Sequence, residues 1–125
     1  MFEQYKVSAS ATPTFLHNGK GVEYVTGNPT LDGSKFTNGD VVAPGTAIYK
    51  QDNGLYDLVS NVAAPVEGTD AGTLKGAVLT TDEVVIADNT KNYHVGAISK
   101  GNVTEAVTVG VTEQFKASNG LFFWY

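Results

Sequence analysis

The residues of this chain that could perform chemistry are few, and their spacing does not match a catalytic or metal-binding site. His17 and His94 are far apart, and neither has a second histidine three or four residues away, the spacing at which a helix holds a metal ion. Asp82 and Glu83 are adjacent, so they would point to opposite faces of a strand or begin a helix together. Neither arrangement gives the facing carboxylates of a glycosidase. We therefore expect no metal ion and no carboxylate pair.

Nucleophile and phosphate motifs are absent as well. The chain has no cysteine and no Gly-x-Ser-x-Gly sequence, which excludes a thiolate nucleophile and the usual serine elbow. Residues 72–76 are glycine-rich but lack the Gly-Lys-Ser/Thr ending of a phosphate loop. We predict that the protein is not an enzyme and uses no cofactor.

One segment is similar to a turn of carrier domains. Residues 39–46, Gly-Asp-Val-Val-Ala-Pro-Gly-Thr, resemble the Gly-Asp-x-Val-x-x-Gly turn and strand of biotinyl and lipoyl carriers. Those carriers present a modified lysine at a hairpin tip elsewhere, and no lysine stands at such a position here. We interpret the likeness as a shared turn geometry.

The charge of the chain argues against two classes of partner. All eight basic residues are lysines, there is no arginine, and the formal net charge is -5. Arginine supplies the planar fork that recognises phosphates and guanine edges, and nucleic-acid binders concentrate positive charge on one face. An acidic chain is also repelled by anionic membranes. We expect no nucleic-acid partner and no membrane partner.

The N-terminal sequence gives a further expectation about location. It lacks the basic start and apolar centre of a secretory signal, and no window approaches the roughly 20 apolar residues of a membrane span. We expect the protein to be made in a cytoplasm and retained whole.

Composition and patterning predict a mainly β fold with one small core. The chain has 125 residues, 42% of them hydrophobic, and 14 glycines. Its apolar residues are β-branched or aromatic and form short runs between Gly, Asn and Asp, which is typical of strands joined by tight turns. This pattern favours a small β-barrel or sandwich with one or two short helices. We divide the chain into an extended N-terminal arm, residues 1–14, and one β-rich domain, residues 15–125.

Two hairpins are predicted from turn residues. Residues 46–50 and 55–59 flank Asn53-Gly54, and residues 15–17 and 22–25 flank Asn18 to Gly21. Asn and Gly accept the positive φ angles that such turns require. Further strands are predicted over residues 40–42, 76–79, 84–87, 94–99 and 107–111, with a loop over 62–73.

The clearest helix signal covers residues 112–118. Thr112 is suited to cap the free amides, Glu113 and Lys116 complement the helix dipole, and Asn119-Gly120 ends the segment. Single helical turns are also predicted at residues 81–83 and 104–107.

Three segments, in order, resemble a known family. They are residues 39–46, residues 76–84 (Gly-Ala-Val-Leu-Thr-Thr-Asp-Glu-Val), and residues 101–103 (Gly-Asn-Val) followed by the short helical segment. This order is similar to that of the head decoration proteins of tailed bacteriophages, the lambda gpD-like group and related head-fibre bases. The resemblance covers residues 37–118, with a longer insertion at residues 62–73 and an aromatic C-terminal segment as departures.

The resemblance implies a β-tulip-like fold and a structural role. Such a protein binds the outside of an assembled capsid and stiffens it, often as a homotrimer at local three-fold positions. Its partner would be the major capsid protein, and its location the outer surface of the virion.

Two segments are candidates for contacts in that role. The arm could add a strand to an edge of a capsid-protein sheet, with Phe2, Tyr5 and Val7 filling pockets. The aromatic segment that ends the sequence could be a core strand, a subunit interface or both, because a strand buries one face and leaves the other to a neighbour. The interface residues predicted there are Phe122, Phe123, Trp124 and Tyr125.

An adhesin or glycan-binding module on a virion surface is the alternative function. It requires an exposed aromatic platform with polar groups nearby. The residues that would have to form it are Tyr24, Tyr49, Tyr56, Tyr93 and Trp124.

Overall fold

The computed structural model describes residues 15–63 and 72–125. The strands are β1 (Leu16–Tyr24), β2 (Thr30–Leu31), β3 (Asp40–Val42), β4 (Ala47–Lys50), β5 (Tyr56–Leu58), β6 (Val78–Thr80), β7 (Val84–Ile86), β8 (Tyr93–His94), β9 (Ala97–Val103) and β10 (Phe122–Trp124). The α-helix, α1, spans Glu113–Ser118, and 3-10 helices span Gly33–Lys35, Val59–Asn61 and Glu105–Val107.

The strands of residues 15–63 and 72–125 form one large curled sheet and one small two-stranded sheet. The large sheet has the order β10-β9-β6-β4-β5-β2-β8, and β1 also pairs with β9. It curls into a half-barrel, while β3 and β7 form a separate antiparallel pair. The predicted mainly β class with one or two short helices is confirmed, and the described residues contain one short α-helix.

The central strands bury both of their faces, so the described part of the chain has two hydrophobic clusters, whereas chain length predicted a single core. Neighbouring residues of β4, Ala47 and Ile48, are both fully buried but belong to different clusters. The same division separates the adjacent residues Val78 and Leu79 of β6. Successive side chains of a strand point to opposite faces, so one cluster lies on each face of the sheet. The cluster that contains Ala47 is covered by α1 and β10.

Two local predictions are confirmed. Strands β4 and β5 pair as an antiparallel hairpin, with Ile48 opposite Leu58, and the turn places Gly54 at φ 87°. Helix α1 begins after Thr112, whose hydroxyl accepts a hydrogen bond from the Phe115 amide at 3.2 Å. Both features depend on neighbouring residues in the sequence, which is why local patterns identify them.

The hairpin predicted at residues 18–21 is wrong. Strand β1 continues through this segment and pairs with β9 on both sides of it. Asn18 lies opposite Asn102 and Glu23 opposite Lys100, so the four residues 19–22 of β1 face the single residue Gly101 of β9. The Asn and Gly residues therefore form a bulge instead of a chain reversal. Asn18 stabilises it, because its Oδ1 accepts hydrogen bonds from the Lys20 amide and from Asn102 Nδ2, both at 3.0 Å.

Other predictions differ from the structure at element ends. Residues 81–83 form a bend between β6 and β7 instead of a helical turn, and the Thr81 amide donates to the Gly96 carbonyl. Residues 105–107 are helical as predicted, but the strand predicted over 107–111 reduces to one parallel bridge between Thr46 and Val109. The predicted arm and the middle of the predicted loop, residues 64–71, lie outside the described residues.

Candidate interaction surface

Strand β10 buries one row of aromatic side chains and exposes another. It runs parallel to β9, with Gly101 opposite Phe122 and Val103 opposite Trp124. Phe122 is 4% exposed and Trp124 is half-buried, whereas Phe123 and Tyr125 are 61% and 60% exposed. Of the predicted interface residues, Phe123 and Tyr125 are therefore on the surface of the monomer, and Phe122 belongs to the core.

The inward row anchors the strand. Phe115 of α1 lies 6.0 Å from Phe122 and 6.2 Å from Trp124 between ring centroids, and all three rings pack together. Lys116 Nζ lies 5.2 Å from the Trp124 ring centroid and 2.9 Å from Glu105 Oε2. The hydrogen bond with Glu105 raises the pKa of Lys116. The lysine ammonium lies at a distance from the Trp124 ring that gives a cation–π contact.

The outward row belongs to a mixed aromatic and polar surface, which we call the outer face. Asn102 of β9 is directly opposite Phe123, so their side chains share this side of the sheet. His17 of β1 stacks on Tyr125 with ring centroids 4.0 Å apart and an interplanar angle of 6°. The outer face consists of His17, Asn18, Lys20, Lys100, Asn102, Leu121, Phe123 and Tyr125.

The predicted arm joins the domain beside the outer face. The Phe15 carbonyl accepts a hydrogen bond from the Thr104 amide at 2.7 Å, and Leu16 pairs with Val103. Val103 pairs on its other side with Trp124. Phe2, Tyr5 and Val7 lie outside the described residues, and the first described residue, Phe15, enters the domain beside β9, which separates β1 from β10.

The five aromatic residues considered for glycan binding are not brought together. Tyr49 and Trp124 pack against one hydrophobic cluster, while Tyr56 and Tyr93 pack against the cluster on the opposite face of the sheet. Burial raises the pKa of Tyr49, as do the nearby carboxylates of Asp57 and Asp52, and burial alone raises that of Tyr56. Tyr24 is 65% exposed on β1.

No group of three or more His, Cys, Asp or Glu side chains in residues 15–63 and 72–125 is placed to hold a metal ion. In the same ranges no helix is long and apolar enough to cross a membrane.

Sequence reasoning missed the polar half of the outer face. Lys20 meets Lys100 and Asn102 only because β1 pairs with β9, and no spacing in the sequence connects residue 20 with residues 100–102. The apolar half could be predicted from the sequence. Leu121, Phe123 and Tyr125 stand at every second position, so in a strand their side chains would share one face.

Comparison with known proteins adds no relative, because no family model, no curated protein and no solved structure matches this chain.

Proposed function

We propose that this chain is a structural virion protein that binds the outside of an assembled phage capsid and stabilises the shell. In this proposal it acts as a homotrimer at local three-fold positions, its partner is the major capsid protein, and it performs no catalytic step. The observation that carries the proposal is the outer face, where Phe123 of β10 and Tyr125, just after β10, are exposed. Phe15, the first described residue, is hydrogen-bonded to Thr104 at the end of the neighbouring strand β9.

The exposed aromatic side chains favour a binding role for this surface. Tyr and Phe are enriched in the cores of protein interfaces, and large apolar side chains grouped on a surface mark sites of association. A standard interface buries roughly 800 Å² on each partner, which a domain of this size can supply. In a trimer on a lattice, each modest contact is multiplied by avidity.

Binding to empty shells tests the proposal. Purified protein is mixed with DNA-free heads of the virus that encodes the chain, and the shells are sedimented. We expect saturable co-sedimentation and a trimeric mass in solution or on the shell. Protein that stays in the supernatant at all shell concentrations contradicts the proposal.

The role of the arm is tested by a matched pair of triple variants. We expect replacement of Phe2, Tyr5 and Val7 by Ala to weaken shell binding, because these side chains would fill pockets on the partner. Replacement of Ser8, Ser10 and Thr12 by Ala is the control, with the same number of changes in the same segment. Equal binding by both variants would show that the arm does not supply the proposed contacts.

The glycan-binding alternative has weaker support, because its aromatic residues are divided between two faces of the sheet. Specific binding to a glycan array by the purified protein, with no binding to shells, would favour it over the capsid role.

A further inference from the structure

A narrow groove opens on the outer face. Its volume is about 180 Å³, and it lies between the apolar side chains of Leu121 and Phe123 and the side chains of Lys20 and Lys100. Gly21, in the bulge of β1, has a φ of 68°, and a Cβ added to it would meet no atom within 4 Å. Gly21, a residue of the bulge without a side chain, therefore lines the groove without filling it.

The size of the groove decides what kind of occupant fits. Small-molecule sites usually have volumes of about 300 to 1,000 Å³. A groove of about 180 Å³ is too small for such a ligand but accepts one apolar side chain. Interfaces commonly depend on a few such anchors seated in small, well-packed pockets.

The rim of the groove is positively charged, although the chain as a whole carries -5. Lys20 has no carboxylate within ion-pair distance among residues 15–63 and 72–125, and Lys100 Nζ lies 3.7 Å from Glu23 Oε2. Two lysines and one glutamate leave a local excess of positive charge. A segment with carboxylates on each side of its apolar anchor would complement this rim.

We propose that the outer face binds a segment of the shell protein in which an apolar side chain is flanked by acidic residues. The apolar side chain occupies the groove against Phe123 and Leu121, and the acidic residues pair with Lys20 and Lys100. The identity of the partner rests on the proposed function, whereas the chemistry of the segment rests on the groove alone.

The chemistry is tested by NMR titration of the full chain with blocked model peptides. The probe is Ser-Glu-Phe-Asp-Ser, and the controls are Ser-Lys-Phe-Lys-Ser and Ser-Glu-Ser-Asp-Ser. We expect saturable amide shifts at Lys20, Lys100 and Phe123 with the probe, and at least about fivefold weaker binding of each control. No shifts at these residues, or equal binding of the lysine peptide, overturns the proposal.

Binding of charge variants to capsid shells tests whether the groove contacts the shell protein. The double variant Lys20→Glu, Lys100→Glu is expected to bind shells about tenfold more weakly than the native chain. The control is Lys75→Glu, Lys91→Glu, which has the same net charge but changes lysines away from the groove. If the reversal variant fails to give a native amide spectrum, Lys20→Gln with Lys100→Gln is measured in its place, with a smaller expected loss.

The outcomes separate this inference from the proposed function. Equal shell binding by the groove variant and its control overturns the inference while the capsid role stands. Loss of the trimer in the groove variant also overturns it, because the occupant is then a second copy of the chain. If the native chain binds no shells, the proposed function fails and the peptide titration still decides the chemistry of the groove.

Discussion

The substitution Phe122→Ala, with Phe123→Ala as its matched control, tests which face of β10 packs against the core. The two residues are adjacent and identical in chemistry, but Phe122 is 4% exposed and Phe123 is 61% exposed. Phe122 packs 6.0 Å from Phe115 and 5.8 Å from Trp124 between ring centroids. Truncating it removes these contacts and leaves a cavity in the aromatic cluster.

The expected free-energy losses differ several-fold. Replacing a buried Phe by Ala costs about 3 to 5 kcal/mol, whereas substitution of an exposed residue usually stays within about 0.5 kcal/mol. A domain has only about 5 to 15 kcal/mol of stability, so Phe122→Ala removes a large share of it. With a urea m value of about 1 to 3 kcal/mol/M, the unfolding midpoint should fall by about 1 M or more. Phe122→Leu should lose less, because leucine fills most of the space.

Urea unfolding followed by far-UV circular dichroism measures these losses. Each variant is measured at several protein concentrations, since association makes apparent stability depend on concentration. Phe123→Ala is expected to keep the native midpoint in the monomer and to weaken association or shell binding. Equal losses at Phe122 and Phe123, or a larger loss at Phe123, would refute the assignment of the two faces of β10.

Three further perturbations test other parts of the fold. Gly33→Ala should lower the free energy of unfolding by about 1 to 3 kcal/mol, because a Cβ there would collide with the Lys91 carbonyl. Gly19→Ala is the control, because a Cβ there would meet no atom within 4 Å, and its stability should stay near that of the native chain. Thermal or urea unfolding measures both. Thr112→Ala should cost about 1 kcal/mol by removing the cap of α1, measured in the same way. Hydrogen bonds from Ser34 lower the pKa of the Asp32 carboxyl below its ordinary 3.8. The Asp32 carboxylate therefore stabilises the fold fully above pH 3.8, and this stabilisation is lost as the pH falls through the lowered pKa. Stability measured against pH should therefore fall less steeply below 3.8 in Asp32→Asn than in the native chain.

Local sequence determined the features that depend on neighbouring residues. The β4–β5 hairpin follows from Asn53-Gly54 between two apolar runs, and the bounds of α1 follow from Thr112 and Asn119. The alternation that buries Phe122 and exposes Phe123 follows from the geometry of any strand, once one face meets the core.

Only the tertiary structure decided which segments meet. Asn18 to Gly21 have the composition of a hairpin turn, but β1 pairs with β9 on both sides of them, so these residues form a bulge. Lys20 and Gly21 of the bulge line the groove together with residues of β9 and β10. The parallel pairing of β10 with β9, and the division of the core between two faces of the sheet, likewise join residues that are distant along the chain. Such pairings are chosen by the burial of whole faces against one another, and a pattern confined to a few neighbouring residues does not contain that information.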